Sequence, residues 1–170
     1  MIDNKNIYLT LCIIMFILVV FTTKTMAQGL DDIQWTGWGG RAGLSSGPDQ
    51  GYVGFHVNLG EFARNVRFRP SMELGFGDDQ VLLQTLAEVH YVFSNVRIWQ
   101  PYVGGGLGLT YVNYKDDHNR KDDSDTGLSF NPIGGVETAI NESMKFFFEI
   151  KLGLASNDPD VKIGVGLNWK

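Results

Sequence analysis

The sequence predicts an all-β protein, an eight-stranded antiparallel up-and-down transmembrane β-barrel preceded by a signal peptide. Near the C-terminus, from Val161 to Trp169, apolar and polar residues alternate strictly. Such alternation is typical of a strand with one face in an apolar phase and the other in a polar one. At the N-terminus, a short polar stretch containing Lys5 precedes an apolar run over residues 7–21. That arrangement is typical of a secretory signal peptide.

The end of the apolar run predicts the domain boundary. Thr25 and Ala27 stand at the −3 and −1 positions of a cleavage site, and small residues are preferred there. An uncleaved anchor helix is disfavoured, because a membrane span needs about 20 apolar residues. We therefore expect a signal peptide over residues 1–27 and one barrel domain over residues 28–170. The single cysteine, Cys12, lies in the signal peptide, so the mature chain has no disulfide and no thiol chemistry.

Period-two alternation recurs along the whole mature chain. It predicts strands over residues 36–45, 51–60, 66–76, 81–93, 97–114, 127–140, 144–154 and 162–169. These lengths suit tilted transmembrane strands, which need about nine residues or more. Three prolines fall within predicted strands, namely Pro70, Pro101 and Pro132. We expect bulges or strand ends there, because proline cannot donate to a β-ladder.

One face of each predicted strand is apolar, while the other carries charges of both signs mixed with glycine. A soluble barrel would keep its apolar face inside. The inverted assignment, apolar outward and polar inward, explains both the charges and the glycines, because a small barrel has a crowded polar lumen. Buried charges must be paired. We therefore predict a lumenal ion-pair network of Arg41, Arg67, Arg69, Glu73, Glu88, His90, Glu137, Glu149 and Lys151.

The lengths of the connections also fit a barrel in the outer membrane. Those after the second, fourth and sixth strands are short, whereas residues 115–126 form a long acidic loop. Outer-membrane barrels have short periplasmic turns and longer outside loops. An even number of strands then places both termini in the periplasm. Aromatic residues near strand ends would form interfacial girdles; they are Trp38, Tyr91, Phe93, Trp99, Tyr111, Tyr114 and Trp169.

The last strand also carries a recognisable pattern. Lys162, Gly164, Leu167 and Trp169 fit the order polar-x-Gly-x-x-apolar-x-aromatic. This resembles the C-terminal targeting strand of bacterial outer-membrane β-barrels, although Lys170 follows the aromatic residue on which that pattern usually ends. The resemblance implies that the barrel-assembly machinery is a partner of this strand.

Further stretches carry a resemblance that covers the mature chain. Residues 69–75, 101–108 and 133–137 are similar to strands of the small outer-membrane barrels related to outer membrane protein A and outer membrane protein W. The resemblance implies a bacterial outer-membrane location, a monomer, and membrane lipid as the surroundings. That superfamily includes tethers, adhesins, small-molecule channels and a few enzymes, so the fold alone does not deliver the function.

Several candidate sites have a plainer interpretation. His56, His90 and His118 lack a serine or aspartate at a recognisable spacing, so lumen and loop residues are favoured over a metal site or a hydrolase. The aspartates of residues 115–126 could bind a cation, but a solvated loop is favoured. The glycines of residues 104–108 lack the helix, lysine and threonine of a phosphate loop. We predict no catalytic residue, no metal and no cofactor.

These observations favour a non-enzymatic outer-membrane barrel, structural or with a narrow path for small solutes or ligands. A lipid-modifying outer-membrane enzyme is the alternative, and a secreted lipocalin-like barrel is a further one. The acidic chain, with a formal net charge of −5, is not a nucleic-acid binder by bulk charge. A wide pore is not expected, because eight strands leave room mainly for side chains.

The sharpest prediction concerns the register of one hairpin. The connection at residues 77–80 is tight, so a symmetric hairpin pairs residues whose numbers add to 157. Arg69 then faces Glu88, and Arg67 faces His90. Because alternation alone already places all four on the lumen face, we predict an ion pair between Arg69 and Glu88.

Overall fold

The computed structural model describes residues 34–78, 80–93, 98–114 and 124–170. The predicted signal peptide, its cleavage site, His118 and most of the acidic loop lie outside these residues. The described residues form strands and connections only, and they include no helix long and apolar enough to cross a membrane. The strands are β1 (Gly37–Ser46), β2 (Gln50–Asn58), β3 (Glu61–Ala63), β4 (Val66–Phe76), β5 (Gln80–Val92), β6 (Gln100–Tyr114), β7 (Ser124–Ala139), β8 (Met144–Leu152) and β9 (Val161–Trp169).

The strands close into a barrel. Each long strand pairs antiparallel with its neighbours along the chain, and β1 pairs with both β2 and β9. The three-residue strand β3 pairs only with the start of β4 and continues the line of β2. The barrel therefore has eight long strands in up-and-down order, which confirms the predicted fold class.

The predicted second strand, residues 51–60, ends two residues early, and the short strand β3 lies where a turn was expected. β2 ends at Asn58, and Gly60 takes a φ of 77°, in the left-handed region that glycine adopts without strain. Leu59 N donates to Phe68 O, and Phe68 N donates to Gly60 O. The break lets β3 resume pairing with β4 through a register shift.

Other strand bounds also differ from the prediction. β7 begins at Ser124 rather than residue 127, because Ser124 still pairs with Asn113 of β6. β8 ends at Leu152 rather than residue 154, because the chain turns there and Gly153 N donates to Asp160 O. The prediction for the fifth strand began too early, since β6 starts at Gln100.

The expected strand end is found only at Pro101, whereas Pro70 and Pro132 lie inside β4 and β7 without a bulge, each at the point where pairing on one side of the strand stops. Pro101 is the second residue of β6. Pro132 immediately precedes Ile133, the first residue of β7 that pairs with β8. Pro70 immediately precedes Ser71, the first residue of β4 that pairs with β2. At these places the missing N–H removes little from the sheet.

Exposure confirms the inverted barrel. Outward-facing Leu44 and Leu128 are 71% and 77% exposed, whereas Arg69 and Glu88 in the lumen are fully buried. This is the reverse of a soluble barrel and fits a surface in contact with lipid.

Aromatic side chains gather at the rim where β1 begins and β9 ends, which we call the terminal end; the opposite rim is the loop end. Trp38 stacks on Trp169 at 4.7 Å between ring centroids, and Tyr91 meets Phe93 edge-on at 5.0 Å. Tyr111 does not fit the predicted girdle, because it is buried against Leu83.

Candidate functional site

The middle of the lumen is filled by seven charged side chains, which we call the central cluster. Alternation along five strands turns each of them inward, and each is almost fully buried. The cations come from β1, β4, β8 and β9, and the carboxylates come from β4, β5 and β8. The members are Arg41, Arg69, Lys151 and Lys162, with Glu73, Glu88 and Glu149.

The predicted hairpin register is the observed one. Arg69 pairs with Glu88, and Arg67 with His90. The Arg69 Nε atom lies 3.1 Å from Glu88 Oε2. The same guanidinium extends across the lumen, where its Nη2 lies 2.8 Å from Glu149 Oε2. The predicted pair is therefore one part of a larger network.

Glu88 is the carboxylate with the most partners in the central cluster. Arg41 Nη1 lies 3.1 Å from its Oε1, and Lys151 Nζ lies 2.7 Å from the same oxygen. Ser71 Oγ donates to Oε1 at 2.6 Å, and Arg69 occupies Oε2. Since a carboxylate held by three cations is a poor proton acceptor, Ser71 and Glu88 do not form a nucleophile–base pair.

Glu73 links the two lysines of the cluster. Lys151 Nζ lies 2.5 Å from Glu73 Oε1, and Lys162 Nζ lies 2.7 Å from Oε2. Lys162, which the sequence indicated chiefly as part of the targeting strand, is therefore also a lumen residue. Its ammonium also donates to Gln84 Oε1 at 2.6 Å.

A second charged group lies near the terminal end. Arg67 donates two hydrogen bonds to Glu137, each of 2.9 Å, and Lys145 Nζ lies 2.9 Å from Glu137 Oε1. Strand alternation predicted Arg67 and Glu137 in one network with Glu88. The structure instead separates them, because these side chains lie nearer to the start of β4 and the end of β7.

Aromatic rings lie between the two charged groups, and the sequence analysis missed them. Tyr102 donates to Glu149 Oε2 at 3.0 Å and stacks on His90 at 5.0 Å between centroids. Phe147 is completely buried, and the Arg69 guanidinium lies 5.2 Å from its ring centroid. Alternation could have placed both rings inward, because Tyr102 lies on the same face of its strand as Gly104, and Phe147 lies on the same face as Glu149.

The lumenal glycines make room for these rings. A Cβ on Gly135 would lie 2.5 Å from Tyr102 Oη, and one on Gly166 would lie 2.4 Å from the Phe147 ring. These approaches are closer than van der Waals contact, so only glycine fits beside the rings. The mixture of glycine and large polar residues in the sequence is thus a packing pattern.

Asp158 closes the lumen at the loop end, and sequence reasoning missed it because it lies in a connection rather than a strand. It is 5% exposed. Its carboxylate accepts from Gln84, Thr110 and Ser129 through Oδ1, and from Phe130 N and Asn131 through Oδ2. The connection between β8 and β9 therefore folds into the mouth of the barrel.

The two described histidines are lumen residues. His56 bonds through Nε2 to Asn168 Oδ1. His90 Nε2 lies 3.3 Å from Glu88 Oε2, although neither ring nitrogen makes a well-aligned hydrogen bond. Within the described ranges, no group of three or more histidine, cysteine, aspartate and glutamate side chains is arranged to hold a metal ion. Residues 104–108 are part of β6 and form no phosphate loop.

Comparison with known proteins now identifies the family. Among curated proteins, none matches the chain. Neisserial surface protein A is similar in structure, with a TM-score of 0.60 and 15% identity over 78% of this chain and 94% of its own. The N-terminal β-barrel domain of Pseudomonas aeruginosa OprF gives a TM-score of 0.57 and 13% identity over 80% of this chain and 98% of its own. At such identities, these likenesses show the fold alone.

The family assignment comes from the sequence match. The model of the family described as "Outer membrane protein beta-barrel domain" matches residues 18–170, which is most of the chain. This match decides against a secreted lipocalin-like barrel and places the protein in the bacterial outer membrane. The chain belongs to the outer membrane protein β-barrel family.

Proposed function

We propose that this protein is a non-enzymatic, monomeric outer-membrane barrel whose lumen is held closed by the central cluster. The observation that supports this most directly is the set of ion pairs that cross the lumen. Arg41 of β1 lies 2.6 Å from Glu149 of β8, and Lys151 of β8 lies 2.5 Å from Glu73 of β4. These strands are not neighbours in the sheet. The side chains therefore bridge the interior rather than lining an open channel.

The energetics favour a static closure. An ion crossing the cluster would have to separate buried pairs, and leaving one buried charge unpaired costs about 3–5 kcal/mol. Any path for solutes is therefore narrow. The described residues give no support to a lipid-modifying activity, because every hydroxyl seen beside a lumenal carboxylate is held in a closed network. Ser71 bonds to Glu88 and Tyr102 to Glu149 inside the ion-pair cluster. Thr110 and Ser129 bond to Asp158, whose carboxylate is already saturated with donors.

The conductance of detergent-folded mature protein in planar lipid bilayers tests this function. We expect the unaltered protein to give no stable large conductance. Arg69→Ala removes a guanidinium that crosses the lumen and should raise the conductance. Arg64→Ala makes the same chemical change at an exposed turn residue and should not. A stable large conductance from the unaltered monomer would contradict the proposal.

The route to the membrane is also part of the proposal. Residues 1–27 are removed as a signal peptide near Ala27, both termini lie in the periplasm, and the barrel-assembly machinery recognises β9. The contacts of β9 support the last point, because this strand pairs with β1 along its whole length and so completes the barrel. Leu167 and Trp169, two residues of the targeting pattern, pair with Gly40 and Trp38.

A further inference from the structure

The loop-end mouth of the barrel contains a set of hydrogen-bond donors that converge on one point. Gln84 Nε2 and Thr110 Oγ1 each lie 2.8 Å from Asp158 Oδ1, and Ser129 Oγ lies 2.6 Å from it. Phe130 N and Asn131 Nδ2 each lie 3.0 Å from Oδ2. Five donors saturate the acceptor capacity of a carboxylate, which has about four lone-pair sites.

The donor set is fixed by the barrel and not by the loop. Gln84, Thr110, Ser129 and Asn131 lie on β5, β6 and β7, and all four are almost completely buried. Lys162 Nζ donates to Gln84 Oε1 at 2.6 Å, so the Gln84 amide must present its N–H₂ group to the mouth. The site is therefore preorganised for an anion.

The charges of the lumen also favour an anion at the mouth. The central cluster contains four cations and three glutamates. Asp158 is connected to this cluster through Gln84 and Lys162 and supplies a fourth carboxylate. Without Asp158, the cluster would carry an uncompensated positive charge beneath the mouth, which favours an anion there.

The loop that supplies Asp158 is also held by backbone hydrogen bonds and by Asn157, whose Nδ2 donates to Asp125 Oδ2 at 3.1 Å. We call residues 153–160 the latch loop. Gly153 N donates to Asp160 O at its base, and Asp158 N donates to Ala155 O within it. Leu154 N donates to Phe130 O. The N–H of the same residue, Phe130, donates to the Asp158 carboxylate. β8 pairs with β7 only from Ile133 onward, so this edge of β7 depends on the latch loop.

From these contacts, we propose that the loop-end mouth is a carboxylate-binding site, formed by Gln84, Thr110, Ser129, Asn131 and the Phe130 amide, which the chain fills with its own Asp158 to close the barrel. The ligand class is a small monocarboxylate. Acetate is the closest match in size, because the end of an aspartate side chain is a carboxylate on one carbon. Removing the Asp158 side chain vacates the site for such an anion.

Chemical rescue tests the proposal. Asp158→Ala protein, folded in detergent, should unfold at a lower urea concentration than the unaltered protein. Sodium acetate should restore at least half of that loss in a saturable way. Sodium chloride at equal ionic strength and acetamide, which has the shape of acetate but no charge, should not. Asp160→Ala removes an exposed carboxylate from the same loop and should show neither the loss nor the rescue.

Amide hydrogen exchange gives an independent readout. In Asp158→Ala, the Phe130 amide should exchange faster than in the unaltered protein, and acetate should slow it again. If acetate neither restores the urea midpoint nor protects Phe130, the site is not a carboxylate receptor and the proposal is wrong.

A second variant keeps the test open if Asp158→Ala does not fold. Ser129→Ala removes one donor to Oδ1 and leaves the loop sequence intact. It should speed exchange of the Phe130 amide relative to Ser143→Ala, which alters a serine in the exposed turn at the terminal end. Equal exchange rates in these two variants would overturn the proposal.

Discussion

Arg41 Nη1 lies 2.6 Å from Glu149 Oε1, and this contact joins β1 to β8 across the lumen rather than along the sheet. Glu149 also accepts from Arg69 and Tyr102 through its other oxygen. One carboxylate thus connects four strands of the barrel. Its loss should therefore weaken the closed barrel more than the loss of any exposed carboxylate.

Glu149→Gln tests this relationship. The substitution keeps the shape of the side chain but leaves two buried guanidiniums with one carboxylate fewer. We expect the free energy of unfolding in urea to fall by about 3–5 kcal/mol. Glu142→Gln, the same change at an exposed turn position, should stay within about 0.5 kcal/mol of the unaltered protein. Similar values for the two variants would show that the network does not stabilise the barrel.

The Arg69–Glu88 pair can be isolated with a double-mutant cycle. Arg69→Gln and Glu88→Gln should each lower the urea midpoint, because each leaves a buried partner uncompensated. The double variant should lose less than the sum of the two single losses, since it removes both charges together. Strictly additive losses would mean that the two side chains do not interact in the folded barrel.

A pair of glycine substitutions tests the packing of the lumen. In Gly135→Ala, the new Cβ would lie 2.5 Å from Tyr102 Oη, so the ring must move away from Glu149. We expect a loss of about 1–3 kcal/mol in unfolding free energy, as for other overpacked sites. Gly134→Ala is the control, because nothing lies within 4 Å of its Cβ position. Equal stabilities would contradict close packing of Tyr102.

Truncation of the C-terminus tests the role of β9 in assembly. Deletion of residues 167–170 removes Leu167 and Trp169, which carry the targeting pattern, and should prevent accumulation in the outer membrane. Deletion of Lys170 alone leaves the pattern ending on its aromatic residue and should not. The measurement is the amount of protein that stays in the outer-membrane fraction after an alkaline carbonate wash. Normal levels of the longer truncation would contradict the targeting role.

Refolding of the same truncation in detergent separates two causes of failure. Trp169 stacks on Trp38, so its loss can also weaken closure of the barrel. A truncated protein that refolds in detergent but is absent from the outer membrane has lost recognition. A truncated protein that neither refolds in detergent nor accumulates in the outer membrane has lost the pairing of β9 with β1.

The sequence determined the features that depend on local geometry. Alternation with a period of two assigned Arg69, Glu88 and Glu149 to the lumen, because successive side chains of a strand point to opposite faces. The tight connection at residues 77–80 set the register of β4 against β5, so the Arg69–Glu88 pair could be predicted.

The tertiary structure alone decided which lumenal groups meet across the barrel. Contacts such as Arg41 with Glu149 join strands that are not neighbours, and they depend on the tilt and stagger of the closed barrel. Because alternation does not determine the stagger, it did not predict that Glu137 and Arg67 pair in a separate group near the terminal end. Asp158 could not be found from alternation, because it lies in a connection. Only the folding of that loop over the unpaired edge of β7 brings its carboxylate into the mouth.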